Sequence, residues 1–534
     1  MSQPSSVTDF SQYLPPGIYT NPISGPLLAI NNAVPTTVGL FGLTVGKRNF
    51  IQSFTVQPDI NDSTPGVNQT LAKAGILPTS IVVTSVQSYT TQDGNPITIS
   101  GGKIYTLDTD YTIVLISGVW GHSDALYAIS RVIGGHIAVG QVLQVSYSYT
   151  DANFFQPQRF YSYQDVVTAY GPPFNLTTGA IQSELTLAAK FAFLNGAYQV
   201  MCVAVDPANP DAPTSGDYYY ALQKFNDLAP IAIICPATGS YPSLYQFVQE
   251  HVDSQSSHRF ERRAILGIDG SASPVSTTQR VTYAQELVDE RIAMVSPATF
   301  TYYAPEINQT ITLGGQYIAA ALSGMVVNMS PAQPLTHKII TGFSKVAELD
   351  LDANKSQESA SGLMVVEMAP PNGQRLWVRH GLTTDPSDLL HREWSITGQQ
   401  DAMVYTLRAY LNAANLIGQP IYDYTLINVK AAVQAGLQSL VTNSVIVNYH
   451  SLSVRQLLSN PDVLEVSFSW LPAFPLNYVV LTFGISLTTG SVATQGASPN
   501  INDFTGHTPN ISIGNNPTSS INDFGGPGNT LAQG

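Results

Sequence analysis

Three times in succession a helical segment hands over to an unbroken apolar strand, and no other feature narrows the fold so far. "SELTLAAKFAFLNG" (183–196) sets Leu185, Ala188, Ala189 and Ala192 at helical spacing, stops at Gly196 and leads into "YQVMCVAVD". "YYYALQKFNDL" then precedes "APIAIICPA", and "LYQFVQEHVDSQ" precedes "RRAILGID". Strands apolar on both faces belong to parallel sheets covered by helices on both sides. Residues 153–385 are therefore expected to form a doubly wound-like α/β domain.

The flanks follow other rhythms. Residues 1–25 are rich in proline and read as an extended arm with one short strand at Ile18 to Thr20. Residues 26–75 open the core, with "TTVGLFGLTVG" (36–46) as a buried strand whose glycines allow close backbone approach. Residues 76–152 alternate with period two between turn signals such as "QDGNP", which predicts a small inserted β-domain. Residues 386–475 read as a compact helix-plus-sheet domain. One helix carries Val404, Leu407, Leu411 and Ala414, and the next carries Val429, Val433, Leu437 and Leu440. Its sheet draws on Val445 and Val447, then on Leu464, Val466, Phe468 and Trp470 along one strand face. With so few strands, that sheet has open edges, which proteins normally block or cover. The fold class is thus a multidomain mixture of α/β and α+β.

Two stretches follow. In "LNYVVLTFGISLTTG" (476–490), Val479, Leu481, Phe483, Ile485 and Leu487 alternate with their neighbours, the pattern of a strand with one apolar face. The Asn/Gly/Pro-rich 491–534 stretch repeats loosely every ten residues, placing Ile501, Ile511, Ile521 and Leu531 in register, with Phe504 and Phe524 beside them. One apolar residue per ten cannot form a core alone, so these side chains are expected to dock on a folded surface.

Composition excludes several function classes. Charged residues are 11% of the chain against about 25% in ordinary soluble domains. Lys and Glu are depleted at protein interfaces, so this composition suits a subunit whose surface is mostly contact. The net charge of −14, with no basic run longer than Arg262-Arg263, argues against nucleic-acid binding. "MSQPSSVTDF" lacks a signal-peptide pattern, and no apolar run approaches membrane-spanning length. Synthesis in the cytoplasm without membrane insertion is the expectation.

Candidate chemical sites are weak. Asp350, Asp352 and Asn354 begin like a calcium loop, but Lys355 stands where Gly is needed and Ser361 where Glu is needed. Cys235 follows a strand, where a hydrolase nucleophile could sit, yet no G-x-S-x-G elbow or partner His motif accompanies it. Both Cys202 and Cys235 read as small buried hydrophobes. "HRFERRA" (258–264) reads as a charged surface turn between helix and strand. No catalytic residue, metal site or cofactor is expected, and the chain reads as a non-enzyme.

The order of parts carries a resemblance. "YLPPGIYTNPI", then "VPTTVGLFG", "SELTLAAKFAFLNGAYQVMCVAV", "GGQYIAAALSGMVVNMSPAQPLTHKIITGF", "WSITGQQDAMVYTLRAYLNAANLIGQPI" and "DVLEVSFSWLPAFPLNYVVLTFGI" together resemble the contractile tail sheath proteins of bacteriophages over about residues 13–490. The 491–534 stretch lies outside the family pattern. The resemblance implies hexameric rings stacked in a helix around a tail tube, contracting to drive the tube through the host envelope. It implies partners: further copies of the chain, the tube protein, and baseplate and tail terminator proteins. It also implies that both chain ends add strands to a neighbour's C-terminal sheet. Tyr13, Ile18, Tyr19 and Thr20 would act from one end and the 479–487 alternation from the other. The expected location is the virion tail, assembled in the host cytoplasm. The alternatives are the sheath of another contractile device, such as a bacteriocin or secretion system, and, more distantly, an α/β hydrolase using Cys235.

Overall fold

The structure is a computed structural model that describes residues 35–57, 69–90, 96–99, 102–121, 123–209, 212–229, 231–347, 351–369 and 375–482. Contacts divide the chain into a unit ending at Asn477 and a second unit from Tyr478 onward.

Strand β1 (Thr37–Gly42) is buried along its whole length and is the third strand of the main sheet, with strands paired on both of its edges. Gly42 is required by packing, since a Cβ there would come within 2.6 Å of the Ala237 Cβ.

The β-rich block comes next, with β2 (Arg48–Thr55), β3 (Gln69–Ala74), β4 (Val82–Ser85), β5 (Gln87–Thr90), β6 (Pro96–Ile99), β7 (Tyr111–Ser117), β8 (Leu126–Arg131) and β9 (Val142–Tyr149). These form the sheets β2-β9-β4 and β3-β8-β7 and the hairpin β5-β6. Leu71, Val83, Tyr127, Leu143 and Val145 build a core of its own between the sheets. Its strands begin at Arg48, earlier than the expected boundary at 76. In "RNFIQSFT" only every second residue turns inward, so the short alternation of β2 is easily overlooked.

The α/β stretch comprises β10 (Gln158–Phe160), α1 (Tyr163–Tyr170), α2 (Glu184–Leu194), β11 (Gln199–Ala204), α3 (Ser215–Gln223), β12 (Ile231–Pro236), α4 (Pro242–Ser257), β13 (Arg263–Gly267), α5 (Thr277–Leu287) and β14 (Ile292–Ser296). It continues through β15 (Thr299–Ala304), β16 (Gln309–Gly314), α6 (Gln316–Val326), β17 (Ile339–Ile340), β18 (Lys345–Val346), α7 (Asp352–Ala360), β19 (Leu363–Met368) and β20 (Leu376–Val378). The main sheet runs β10-β11-β1-β12-β13-β14-β19-β20-β17, parallel from β11 to β19. Val38 and Leu40 face α2 and α6, while Phe41 faces α3 and α4, so helices cover both faces as the apolar strands require. Helix α6 is nearly all buried, and its Gly324 touches the α2 backbone: a Cβ there would lie 2.1 Å from Ala192 O. A side sheet, β16-β15-β18, interrupts the helix–strand rhythm between β14 and α7.

The last folded region holds α8 (Leu389–Arg392), α9 (Trp394–Ala413), α10 (Asp423–Thr442), β21 (Ile446–Gln456) and β22 (Leu464–Pro472). Val429, Val433, Leu437 and Leu440 of α10 pack on Met403 and Leu407 of α9 and on Ile446 and Phe468 of the hairpin.

Candidate functional site

Strands β21 and β22 pair only with each other among the described residues, so each keeps one free edge. The antiparallel register sets Tyr449 opposite Trp470 and Val454 opposite Val466, with irregularities near Ile446 and between His450 and Ser453. Leu464, Val466, Phe468 and Trp470 share the face turned toward α10, and Phe468 is fully buried there. Val447 differs from expectation. Val445 is buried just ahead of the strand, whereas Val447 faces solvent, because the register shifts between Ile446 and Asn448. A two-stranded ribbon leaves a row of backbone donors and acceptors on each edge, a template for another strand.

The chain leaving β22 is pinned at two points. The Gln399 side chain accepts from Ala473 N–H at 2.7 Å and donates to the Ala473 carbonyl at 3.0 Å. Asn477 Nδ2 donates to Glu393 Oε1 at 3.1 Å and lies 3.1 Å from His380 Nε2, while Thr336 Oγ1 donates to Asn477 Oδ1 at 3.3 Å. Glu393 also holds His380 Nε2 at 2.9 Å. No strand forms over 476–482, where the alternation begins. Extended backbone becomes a sheet strand only when a partner satisfies its donors and acceptors. Val479 and Leu481 are 71% and 82% exposed. Phe483, Ile485 and Leu487 lie outside the described residues. So do Tyr13, Ile18, Tyr19 and Thr20 of the first arm, and Ile501, Phe504, Ile511, Ile521, Phe524 and Leu531 of the repeat.

Helix α9 is fixed to the main sheet by charge. Asp401 accepts from Arg291 at 2.8 Å and lies 3.3 Å from Arg263 Nε. Arg408 pairs with Glu261, whose carbonyl accepts from Tyr405 OH at 2.9 Å. Asp401 and its neighbour Glu290 hold the Arg291 guanidinium charged despite burial. "HRFERRA" is the expected surface turn only in its first half: His258 and Arg259 are exposed in a turn after α4, whereas Glu261, Arg262 and Arg263 are all buried. Arg262 spends its donors on the carbonyls of Phe225, Leu228 and Phe260. The available signal was the concentration of charge beside an apolar strand in a chain with so little charge.

The chemical candidates resolve simply. Cys235 is fully buried, and burial pushes its thiol up to about 12, so almost no thiolate is present near neutral pH. Cys202 is buried and shifted the same way. Asp352 opens α7 and pairs with Arg379 at 2.6 Å; Asp350 lies outside the described residues. Among the described residues no helix is long and apolar enough to cross a membrane.

The tail sheath protein of Mycobacterium phage Bxz1 is 39% identical over 573 aligned residues, spanning 91% of this chain and 98% of that protein. No protein-family profile matches. Among solved structures, the helical sheath of the anti-feeding prophage in its contracted state gives a TM-score of 0.48 at 12% identity, over 63% of this chain and 90% of that one. The sheath tail protein of Desulfitobacterium hafniense gives 0.42 at 11% identity, over 86% and 97%.

Proposed function

The chain belongs to the contractile tail sheath proteins of bacteriophages, and from that premise we propose how this subunit polymerises and works. It is a structural sheath subunit. The observation that carries the assembly reading is the pairing of a hairpin with two free edges with an exposed apolar alternation that leaves from a pinned root at Asn477. The acceptor is the β21–β22 sheet. The donors are the 479–487 alternation of one neighbour and the Tyr13–Thr20 arm of another. Strand addition supplies affinity through main-chain hydrogen bonds and register through alternating side chains. Because donor and acceptor are different surfaces, the contact is heterologous and propagates as a helix. Hexameric rings stacked in this way enclose the tail tube and meet baseplate and terminator proteins at their ends. Contraction then releases free energy held in subunit packing and drives the tube into the host, with no nucleotide or other cofactor involved.

A virion tail is favoured over another contractile device because the relative at 39% identity is a phage protein. A hydrolase reading has no support at Cys235, whose thiol is enclosed. The test is negative-stain imaging of purified protein beside a variant lacking Met1 to Ile23. The intact chain forms tubes, and the shortened chain stays a folded, soluble monomer. Ordinary tubes from the shortened chain rule out strand donation by the first arm.

A further inference from the structure

His391 lies in the short helix α8, the last piece of chain before Glu393 and α9. Asp388 caps that helix, accepting from the backbone N–H of Leu390 at 2.7 Å and of His391 at 3.0 Å. The same carboxylate meets the imidazole, with His391 Nδ1 2.7 Å from Asp388 Oδ2. A neutral imidazole owns a single N–H. With a carboxylate so close to Nδ1 the proton belongs there, and Nε2 is left bare. Nε2 lies 3.8 Å from Glu290 Oε2, in the turn between α5 and β14. A bare nitrogen offers Glu290 nothing, whereas a second proton, on Nε2, turns the same contact into an ion pair. The charges around the pair are otherwise engaged. Asp289 accepts from Gln249 Nε2 at 3.1 Å and from Arg291 N–H at 2.7 Å, and the Arg291 guanidinium goes to Asp401 of α9. Asp253 of α4 adds negative charge beside Asp289 and Glu290, Asp385 adds it on the α8 loop, and Arg392 lies 3.5 Å from Glu393.

We propose that His391 is a pH-operated clasp: protonated, it ties α8 across to Glu290, and neutral, it releases the loop between Thr384 and Glu393. That loop is anchored at its two ends. Thr384 Oγ1 donates to the Asp289 carbonyl at 3.2 Å, and the Glu393 carboxylate accepts from Asn477 at 3.1 Å. Burial works against a charged imidazole, but the Asp388 bond and the charges of Glu290, Asp388 and Asp385 outweigh it, so His391 keeps its proton above the ordinary 6.5. A histidine raised by folding contributes stability that is complete below 6.5 and is lost as pH rises through its raised value. Glu290 sets the other limit, because it must be ionised for the pair to hold. Burial raises its carboxyl above 4.5 against the pull of Arg291 and His391. The clasp is closed between these two titrations and open on either side. Glu393 follows two positions after His391, so slack in α8 passes to the carboxylate that pins Asn477 at the root of the departing chain. The device belongs to a single subunit and does not depend on strand donation.

Hydrogen exchange on the full-length chain tests it, at about pH 6 and about pH 9, with each rate divided by that of the free peptide. Protection of amides 387–392 is expected to fall about threefold from the lower pH to the higher, the scale of a partly exposed ion pair, while strands β12 and β13 keep theirs. In His391→Gln the protection is expected to be equal at the two pH values and no higher than that of wild type at the higher one. Glu290→Gln leaves the Asp388 contact in place and is expected to abolish the fall as well. Protection of 387–392 that does not change with pH in wild type overturns the proposal, and that measurement needs no variant to fold. A fall that survives in His391→Gln overturns it in favour of the carboxylates around Asp289. One that survives in Glu290→Gln overturns it by confining His391 to the cap of its own helix.

Discussion

Glu184 opens α2 with its Oε2 accepting from Tyr218 OH at 2.7 Å and from Leu43 N–H at 3.2 Å. Burial, aided by nearby Asp269, pushes its carboxyl from 4.5 up to about 7. A carboxyl raised by folding binds its proton more tightly in the native state. Its contribution to stability is therefore complete below about 4.5 and is lost as pH rises through about 7. Glu184→Gln keeps an acceptor for Leu43 and a partner for Tyr218, so its monomer stability is expected to vary less between pH 5 and pH 8 than that of wild type. Urea melts at several pH values check this. Taking the difference between the two proteins cancels Asp253, whose carboxyl also rises to about 7 by burial beside Asp289. Gln399 offers a second test. Gln399→Ala strips both partners from the part-buried Ala473 backbone and is expected to lower monomer stability by about 1 kcal/mol, the usual net worth of such hydrogen bonds where water can still reach the freed groups. At this scale the sequence was least legible. The Gln399–Ala473 and Asn477–Glu393 bonds join residues 74 and 84 positions apart, and no local pattern records such pairings.

Elements were more legible where their periodicity was long. The helices α2, α4, α9 and α10 stand where apolar spacing placed them, because each buries a stripe several turns long. The apolar strands β11, β12 and β13 likewise declared a sheet covered on both faces. The side strand β15 is hard to read from sequence because the inward Phe300, Tyr302 and Ala304 span only five residues inside a helix–strand rhythm. The 476–490 alternation is the reverse case: the pattern is plain, but no strand exists over its described part, because a ladder takes two partners. Leu481→Asp tests what that alternation is for. Leu481 is 82% exposed, so the monomer's stability should stay within about 0.5 kcal/mol of wild type, as for an ordinary surface change. Tube formation should nevertheless be lost, because an aspartate would be buried in the neighbour's sheet. Denaturant melts and electron microscopy on the same preparation separate the two effects. Loss of monomer stability would assign Leu481 to its own subunit's core.

For the whole molecule, scarce charge and a net of −14 set how subunits meet. Like-charged bodies repel weakly at a distance and the repulsion is screened within about 10 Å at 0.1 M salt. Polymerisation is therefore expected to quicken as salt rises from about 0.01 to about 0.1 M, a trend that light scattering can follow. The free edges of β21 and β22 have a further consequence. Each subunit is both plug and socket, so one that keeps the socket but loses the plug of its first arm leaves the next socket incompletely filled and behaves as a chain terminator. Mixed into wild-type protein at a small mole fraction, the variant without Met1 to Ile23 should enter growing ends and stop them, and mean tube length should fall roughly in inverse proportion to its share. A defective copy would then be dominant over intact ones.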